Sequence, residues 1–302
     1  MQQTIRIPVI SKQFCTYLES IFFYLLLMAG SLIMVAPFLF MVSSSLKTDA
    51  EILAFPPTLI PREFDFQNYP DIWMKGNFSR YFANTLYISV GRTALVLATT
   101  TLAAYAFAVL RFPGRNLLFV LFLSTMMLPG QVTLIPVYVI IKKFPLMGGN
   151  DLFGVGGTGL INTFPGIIIP GLVSVSSIFL LRQFMTTIPR DMIDAARIDG
   201  GGEFRIFSEI VLPMTGPALA TVGIFTFQGA WNDFLWPLLV GQRKSLWTLQ
   251  VALAQLRSSL ASGVIQWSEI LAGTVIATLP IMIVFLLAQR YFVRGIALTG
   301  IK

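Results

Sequence analysis

The chain has 302 residues, of which 55% are hydrophobic and only 12% charged. An ordinary soluble domain carries about 25% charged residues, and a mean hydropathy of +0.77 excludes a soluble fold of this size in favour of a polytopic membrane protein. The sequence contains no histidine, which excludes His-based acid/base work, Ser-His-Asp triads and His metal sites in this chain, and the single Cys15 excludes an internal disulfide. The net charge of +7 does not point to nucleic acid, because no basic tract is long enough and Lys and Arg gather at helix ends.

The N-terminal MQQTIRIPVISKQFCTYLES carries Arg6 and Lys12 ahead of an apolar run with no fitting small-x-small cleavage site, and so reads as a retained helix. Six apolar stretches follow in order, at 20–46, 83–110, 117–141, 165–186, 217–240 and 269–291. Each is long enough to span a bilayer with some tilt. Each must be helical, because the bilayer offers no water to backbone N–H and C=O groups. The expected fold is an all-α membrane protein, one transmembrane domain over 1–302 with six transmembrane helices. An even number of spans puts both termini on one side. Basic residues in the short pieces (Arg6, Lys12, Arg111, Arg115, Arg190, Arg197, Arg205, Arg294, Lys302) outweigh by density those of the longer ones, which favours cytoplasmic N and C termini by a modest margin.

The longer loops are then external. Residues 47–82 hold FPPTLIPREFDFQNYPDIW, rich in Pro and aromatics, and 143–164 hold MGGNDLFGVGGTG. The glycines of the second are not followed by Lys-Ser or Lys-Thr, so this is no phosphate loop, and nothing else in the chain matches one.

Residues 189–213, PRDMIDAARIDGGGEFRIFSEIVLP, interrupt the oily pattern inside a loop expected over 187–216. Pro189 suits the first turn of a helix, and Asp191 and Asp194 suit its positive end. Met192, Ile193, Ala196 and Ile198 give it an apolar side, while Ala195 and Ala196 allow a partner to approach closely. Gly200, Gly201 and Gly202 stop it. Phe204, Phe207, Ile210 and Val211 recur at helical spacing in a second amphipathic piece. Pro213 and Pro217 mark the entry to the fifth span. Two readings stand side by side: a rigid knob that joins two spans, or an amphipathic segment lying on the membrane surface.

Polar residues inside spans are candidates for a solute path by default. The third span is interrupted by Pro129, Gly130 and Pro136, with Gln131, Thr133 and Tyr138 nearby, and broken helices often line transport sites. In the fifth, Gln228 and Asn232 are four apart and share a face. Trp231 adds an aromatic surface and Asp233 a charge. Ser174, Ser176 and Ser177 read as packing residues, and Arg92 as paired internally or snorkelling. A channel would need a symmetric polar ring. A membrane enzyme would need clustered catalytic groups. An ion-gradient-driven secondary transporter, the main alternative, would need repeats and intramembrane carboxylates, and the acidic residues here gather in loops.

The segment Asp194-Ala195-Ala196-x-x-Asp199-Gly200, with Pro213 thirteen positions beyond Gly200, resembles the EAA motif of permease subunits of ATP-binding-cassette importers. Asp194 stands where that family usually has Glu. The stretches AAYAFAVLRFPGR (103–115), MMLPGQVTLIPVYVI (126–140), FQGAWNDFLWPLLV (227–240), WTLQVALAQL (247–256) and the C-terminal 272–302 resemble, in the same order, the smaller permease of maltose-type carbohydrate importers. The resemblance implies a type I importer architecture in a bacterial or archaeal inner membrane. It implies a second permease subunit, two ATPase subunits that bind the ATP and Mg, an extracytoplasmic solute-binding protein, and import of a sugar or sugar-like solute by alternating access. By the same resemblance Asp194, Ala195, Ala196, Asp199, Gly200 and Pro213 form the ATPase-coupling loop. The C-terminal cytoplasmic tail is expected over 292–302, and by the same resemblance its residues 295–302 also touch the ATPase pair. Gln131, Tyr138, Gln228, Trp231 and Asn232 are the substrate-path candidates.

Overall fold

The computed structural model describes residues 9–75, 77–258 and 266–297. Arg6, Lys302 and most of the segment RSSLASGVIQ (257–266) lie outside them. Every regular element among the described residues is helical: α1 (Val9–Ser44), α2 (Asp49–Ile52), α3 (Asn68–Lys75), α4 (Phe78–Ala108), α5 (Arg115–Ser124), α6 (Gly130–Lys142), α7 (Phe164–Ile168), α8 (Val175–Met185), α9 (Arg190–Ile198), α10 (Glu203–Ile206), α11 (Leu212–Met214), α12 (Gly216–Trp231), α13 (Leu235–Val240), α14 (Leu249–Ser258) and α15 (Trp267–Ala297). The residues expected to open the cytoplasmic tail, up to Ala297, continue α15 as helix; residues 298–302 lie outside the described part.

Three helices are long and apolar enough to cross a bilayer alone, within α1, α4 and α15. The other expected spans are not straight. The third turns by 102° between Met127 and Gly130, and the fourth bends by 48° between Gly171 and Val175. The fifth is split by Asn232–Phe234 into α12 and α13. A further bend, of 78°, lies between Met214 and Gly216 at the entry to α12, and with each of the three bent pairs counted as one crossing the number is up to six. The breaks have local causes. Pro129 cannot donate to the helix before it and forces Leu128 to extended backbone, ψ 118°. Pro136, expected to interrupt the same span, lies inside α6 without ending it. Ser174 caps α8, its hydroxyl accepting from the Ser177 N–H.

The chain divides into two compact units, residues 1–72 with 266–275, and residues 73–265 with 276–302. In the first, the segment after α1 folds back on two buried polar side chains. The Asn68 amide donates to the carbonyls of Ser45 and Lys47 at 3.1 and 3.0 Å. Lys47 is 2% exposed; its ammonium lies over the Phe40 ring and donates to the Thr58 carbonyl. Glu51 accepts from the Thr58 hydroxyl at 2.8 Å and the Arg62 N–H at 3.1 Å. The Thr58 hydroxyl above all holds its carboxyl below the usual range, the charges of Lys47 and Arg62 helping.

The second unit is organised on α4. Ala104, Tyr105 and Ala108 pack with Ile178, Leu181 and Met185 of α8, with Ile193, Ile206, Phe207 and Val211 of the charged loop, and with Ala218 and Val222 of α12. A second cluster gathers Ile88 of α4 with Ile141, Leu160, Ile161, Ile167, Ile168 and Val240. Polar residues of α4 fix the connection that follows α13. Asn84 donates to the carbonyls of Ser245 and Trp247 at 2.9 and 3.0 Å, and Thr85 Oγ1 accepts from the Leu249 N–H at 2.8 Å. That N–H is one of the orphan donors in the first turn of α14.

Two outcomes follow from these bonds. Asn84→Leu strands two backbone carbonyls, costs about 1–3 kcal/mol, and speeds amide exchange over 241–248 in the detergent-solubilised protein. Glu51 has a lowered carboxyl pKa in the folded state, so its contribution is present above the ordinary carboxylate range and is lost as pH falls through that lowered value. Hydrogen exchange in the 47–62 segment therefore rises on acidification, and Glu51→Gln flattens this response.

Candidate functional site

The charged loop is not a segment resting loosely on a surface. Its first helix, α9, ends in a hydrogen-bond pattern that requires glycine. The Gly201 N–H reaches the Ala196 carbonyl at 2.9 Å and the Gly200 N–H the Arg197 carbonyl at 3.1 Å, with Gly200 at φ +81°. This 6→1, 5→2 pair is a Schellman motif, and its αL position favours glycine. After the turn, α10 runs into one stretch of π-helix, Phe207–Val211. Pro213 two residues on has no N–H for the Glu209 carbonyl and crowds it.

Only part of the expected apolar side of α9 turns inward. Ile193 is buried and Ala196 packs beside it. Ala195 and Asp199 are exposed, as are Met192, Ile198 and Phe204, at 45%, 86% and 77%. Met192 and Ile198, expected on the inner face, thus stand outside, because a helix of nine residues presents one narrow stripe to its support. The loop is also pinned electrostatically. Arg197 donates to Asp194 at 3.2 Å and through two nitrogens to Glu203 at 2.9 and 3.0 Å. Glu203 in turn accepts from the Tyr105 hydroxyl of α4 at 2.6 Å. Sequence reasoning passed over Tyr105, Arg197 and Glu203 in this role; the signal was an acid six residues beyond a base across a glycine turn. Asp194 is engaged within its own helix.

The substrate-path candidates do not converge on one place. Gln131 is exposed in the first turn of α6. Tyr138 is half-buried and accepts from Gln242 at 3.5 Å. Gln228 and Asn232 are both exposed on α12 and its end, and Asn232 accepts from Gln250 at 3.5 Å. Trp231 is 0% exposed and its indole N–H donates to the Ala277 carbonyl at 2.9 Å, which makes it a core residue and not a surface for a ring to stack on.

A polar centre lies beside this face. Arg92 donates to Asp233 at 3.1 Å, the side chains 24% and 23% exposed. The guanidinium rests on Gly171: a Cβ there would stand 2.1 Å from it. The Thr99 hydroxyl donates to the Leu172 carbonyl, at 2.7 Å, in the same break. Removing one partner of a buried pair costs about 3–5 kcal/mol, the lower figure fitting groups with this exposure. A single charge-assisted hydrogen bond returns about 1.5–3 kcal/mol.

The sequence matches the family described as "Binding-protein-dependent transport system inner membrane component" over residues 96–298. It is 32% identical to the arabinooligosaccharides transport system permease protein AraQ of Bacillus subtilis over 97% of this chain and 98% of the relative. It is 34% identical to the sn-glycerol-3-phosphate transport system permease protein UgpE of Yersinia pestis over 91% of this chain and 95% of the relative. The fold is similar to that in the crystal structure of a bacterial ABC transporter involved in the import of the acidic polysaccharide alginate, with a TM-score of 0.77, 23% identity, and coverage of 96% of this chain and 100% of the other. Both curated relatives are permease proteins of solute transport systems. Apolar helices broken at polar centres, a likeness in fold over nearly the whole chain and a match across two thirds of it lead to one conclusion: the chain belongs to the binding-protein-dependent transport system inner membrane component family.

Proposed function

We propose that this chain is one of two membrane-spanning subunits of an ATP-driven importer for a carbohydrate or related polyol, delivered by an extracytoplasmic binding protein. Two ATPase subunits hold the ATP and Mg, and a second, different permease chain completes the path. In this reading the chain crosses the inner membrane six times with both termini in the cytoplasm, and 187–216 is the coupling loop. The observation that carries it is the construction of that loop, a glycine-stopped knob whose inner face is built into the core of α4, α8 and α12 and whose outer face shows Met192, Ala195, Ile198 and Phe204. Exposed large apolar residues beside charges are the ingredients of a docking surface. The curated relatives, permeases of solute transport systems, support the same reading.

The loop residues divide by role. Ala195 and Asp199 face outward and form the contact. Ala196, Gly200 and Pro213 shape the knob. Asp194 and Arg197 hold it rigid, and Glu203 fastens it to Tyr105. Closure of the ATPase pair then moves α4 through a bonded connection. Alternating access needs such a two-state element, joined to both the ATPase and the spans.

The test uses the full assembly with its ATPase, permease and binding-protein partners. Ala195→Trp with Ile198→Glu changes only exposed positions. It abolishes copurification of the ATPase subunits and leaves the thermal melting of this chain unchanged. Retained association and retained solute-stimulated hydrolysis would refute the docking role. Tyr105→Phe removes the bond to Glu203 and keeps the ring packing. Loss of one hydrogen bond to a charged group, about 1.5–3 kcal/mol, loosens the loop from α4 and lowers solute imported per ATP hydrolysed, with ATPase association intact. Unchanged stoichiometry in proteoliposomes would show that the connection carries no motion.

A further inference from the structure

Beside the Arg92–Asp233 pair lies a recess of about 240 Å³, near the lower end of small-molecule pockets, roughly 300–1,000 Å³. Its wall brings together Arg92, the hydroxyls of Ser174, Ser176, Ser177 and Thr226, and the backbone at Gly171 and Gly229. These come from α4, α12, the break before α8 and the first turn of α8; the three helices share one core. Ser176 and Gly229 are exposed, as are Gln228 and Asn232 on the adjoining face. Polar side chains at membrane depth do not face hydrocarbon; they face protein or a water-filled path.

The chemistry of the wall is balanced. Ser174 is bonded to the hydroxyls of Ser176 and Ser177, and these two with Thr226 keep hydrogen-bonding capacity toward a solute. Arg92 has N–H groups beyond the one given to Asp233. An anion entering the recess would compete with Asp233 for the guanidinium and leave that carboxylate with its cation shared. A neutral polyol meets no such penalty, since its hydroxyls bond to Arg92 and the wall hydroxyls without parting the guanidinium from Asp233. Phe225, 57% exposed at the edge, adds an apolar face of the kind that covers the C–H side of a sugar ring.

We infer that this recess is a binding site on the transport path for one neutral, hydroxyl-rich ring of a carbohydrate, held between Arg92, itself balanced by Asp233, and the Ser174–Ser177 turn. The inference rests on the importer reading above and narrows its substrate class, because relatives whose names refer to arabinooligosaccharides and to glycerol 3-phosphate are equally similar to this chain.

The experiment is solute protection of an introduced thiol in the complete assembly, with Cys15→Ser removing the native one. Ser176→Cys is alkylated with N-ethylmaleimide, and Thr226→Cys serves as a second reporter should the first fail to assemble. The probes are a mixture of neutral pentose and hexose di- to tetrasaccharides, and sn-glycerol 3-phosphate. The saccharides slow alkylation about tenfold at a concentration near ten times their Kd, and glycerol 3-phosphate does not. Adding Asp233→Asn leaves Arg92 unbalanced, and glycerol 3-phosphate then protects. Protection by glycerol 3-phosphate with Asp233 in place, or no protection by saccharide at either thiol, overturns the site. Copurification of the ATPase subunits is read on the same preparations. If they are present while protection fails, the recess falls and the importer reading stands; if they are absent, the importer reading falls and the recess with it.

Discussion

A helix that breaks inside a bilayer frees backbone groups with no water to receive them, and the fold depends on how those groups are satisfied. In the larger unit one helix does most of this. Along α4, Asn84 and Thr85 take the loop groups at Ser245, Trp247 and Leu249. Arg92 holds Asp233 at the end of α12, Thr99 takes the Leu172 carbonyl in the break before α8, and Tyr105 holds Glu203 beyond α9. Thr85, Arg92 and Thr99 are seven residues apart, two helical turns each, so they lie along one stripe. The apolar neighbours Ile88, Val96, Ala104 and Ala108 fill the space between these bonds.

This arrangement ties dynamics to chemistry. The break before α8, the break after α12 and the connection at 245–249 are each bonded to a side chain of α4. A displacement of α4 therefore changes the partners of all three together. The charged loop is joined to the C-terminal end of α4, through Tyr105 and Glu203, and the Arg92–Asp233 pair lies near the middle of the helix. In the proposed importer, a push on the loop reaches the polar recess through one continuous helix, with no need for a longer chain of contacts. Small residues make the fit: Ala104, Ala108 and Gly171 let the partner backbones and the guanidinium approach closely.

Much of the frame was legible from residue pattern. Composition and the six apolar runs give an all-helical membrane chain. The Asp-Gly turn after Ala195-Ala196 stops a helix where expected, because Gly200 takes an αL backbone. The resemblance in motif order pointed to the permease family, to which the chain belongs. Less legible were the breaks within runs that hydropathy reads as uniform. Ser174 starts α8 by capping, a single small polar residue in an apolar run, and Asn232–Phe234 separate α12 from α13. Trp231 looked like a surface for a sugar because it neighbours Asn232 and Asp233 in sequence. At one helical step its ring points instead to Ala277, in the core.

What the sequence by itself determined is therefore local: which segments are apolar enough to leave water, where glycine and proline end a helix, and which residue types are absent. Those properties depend on side-chain transfer energies and on allowed φ and ψ, which act within a few residues. What only the tertiary structure decided is pairing: Arg92 with Asp233, 141 positions away, and Tyr105 with Glu203, 98 away. It also decided which of Met192, Ile193, Ala195 and Ala196 face outward. Such choices turn on where a second helix passes, and an isolated helix presents all its faces alike until a neighbour covers one.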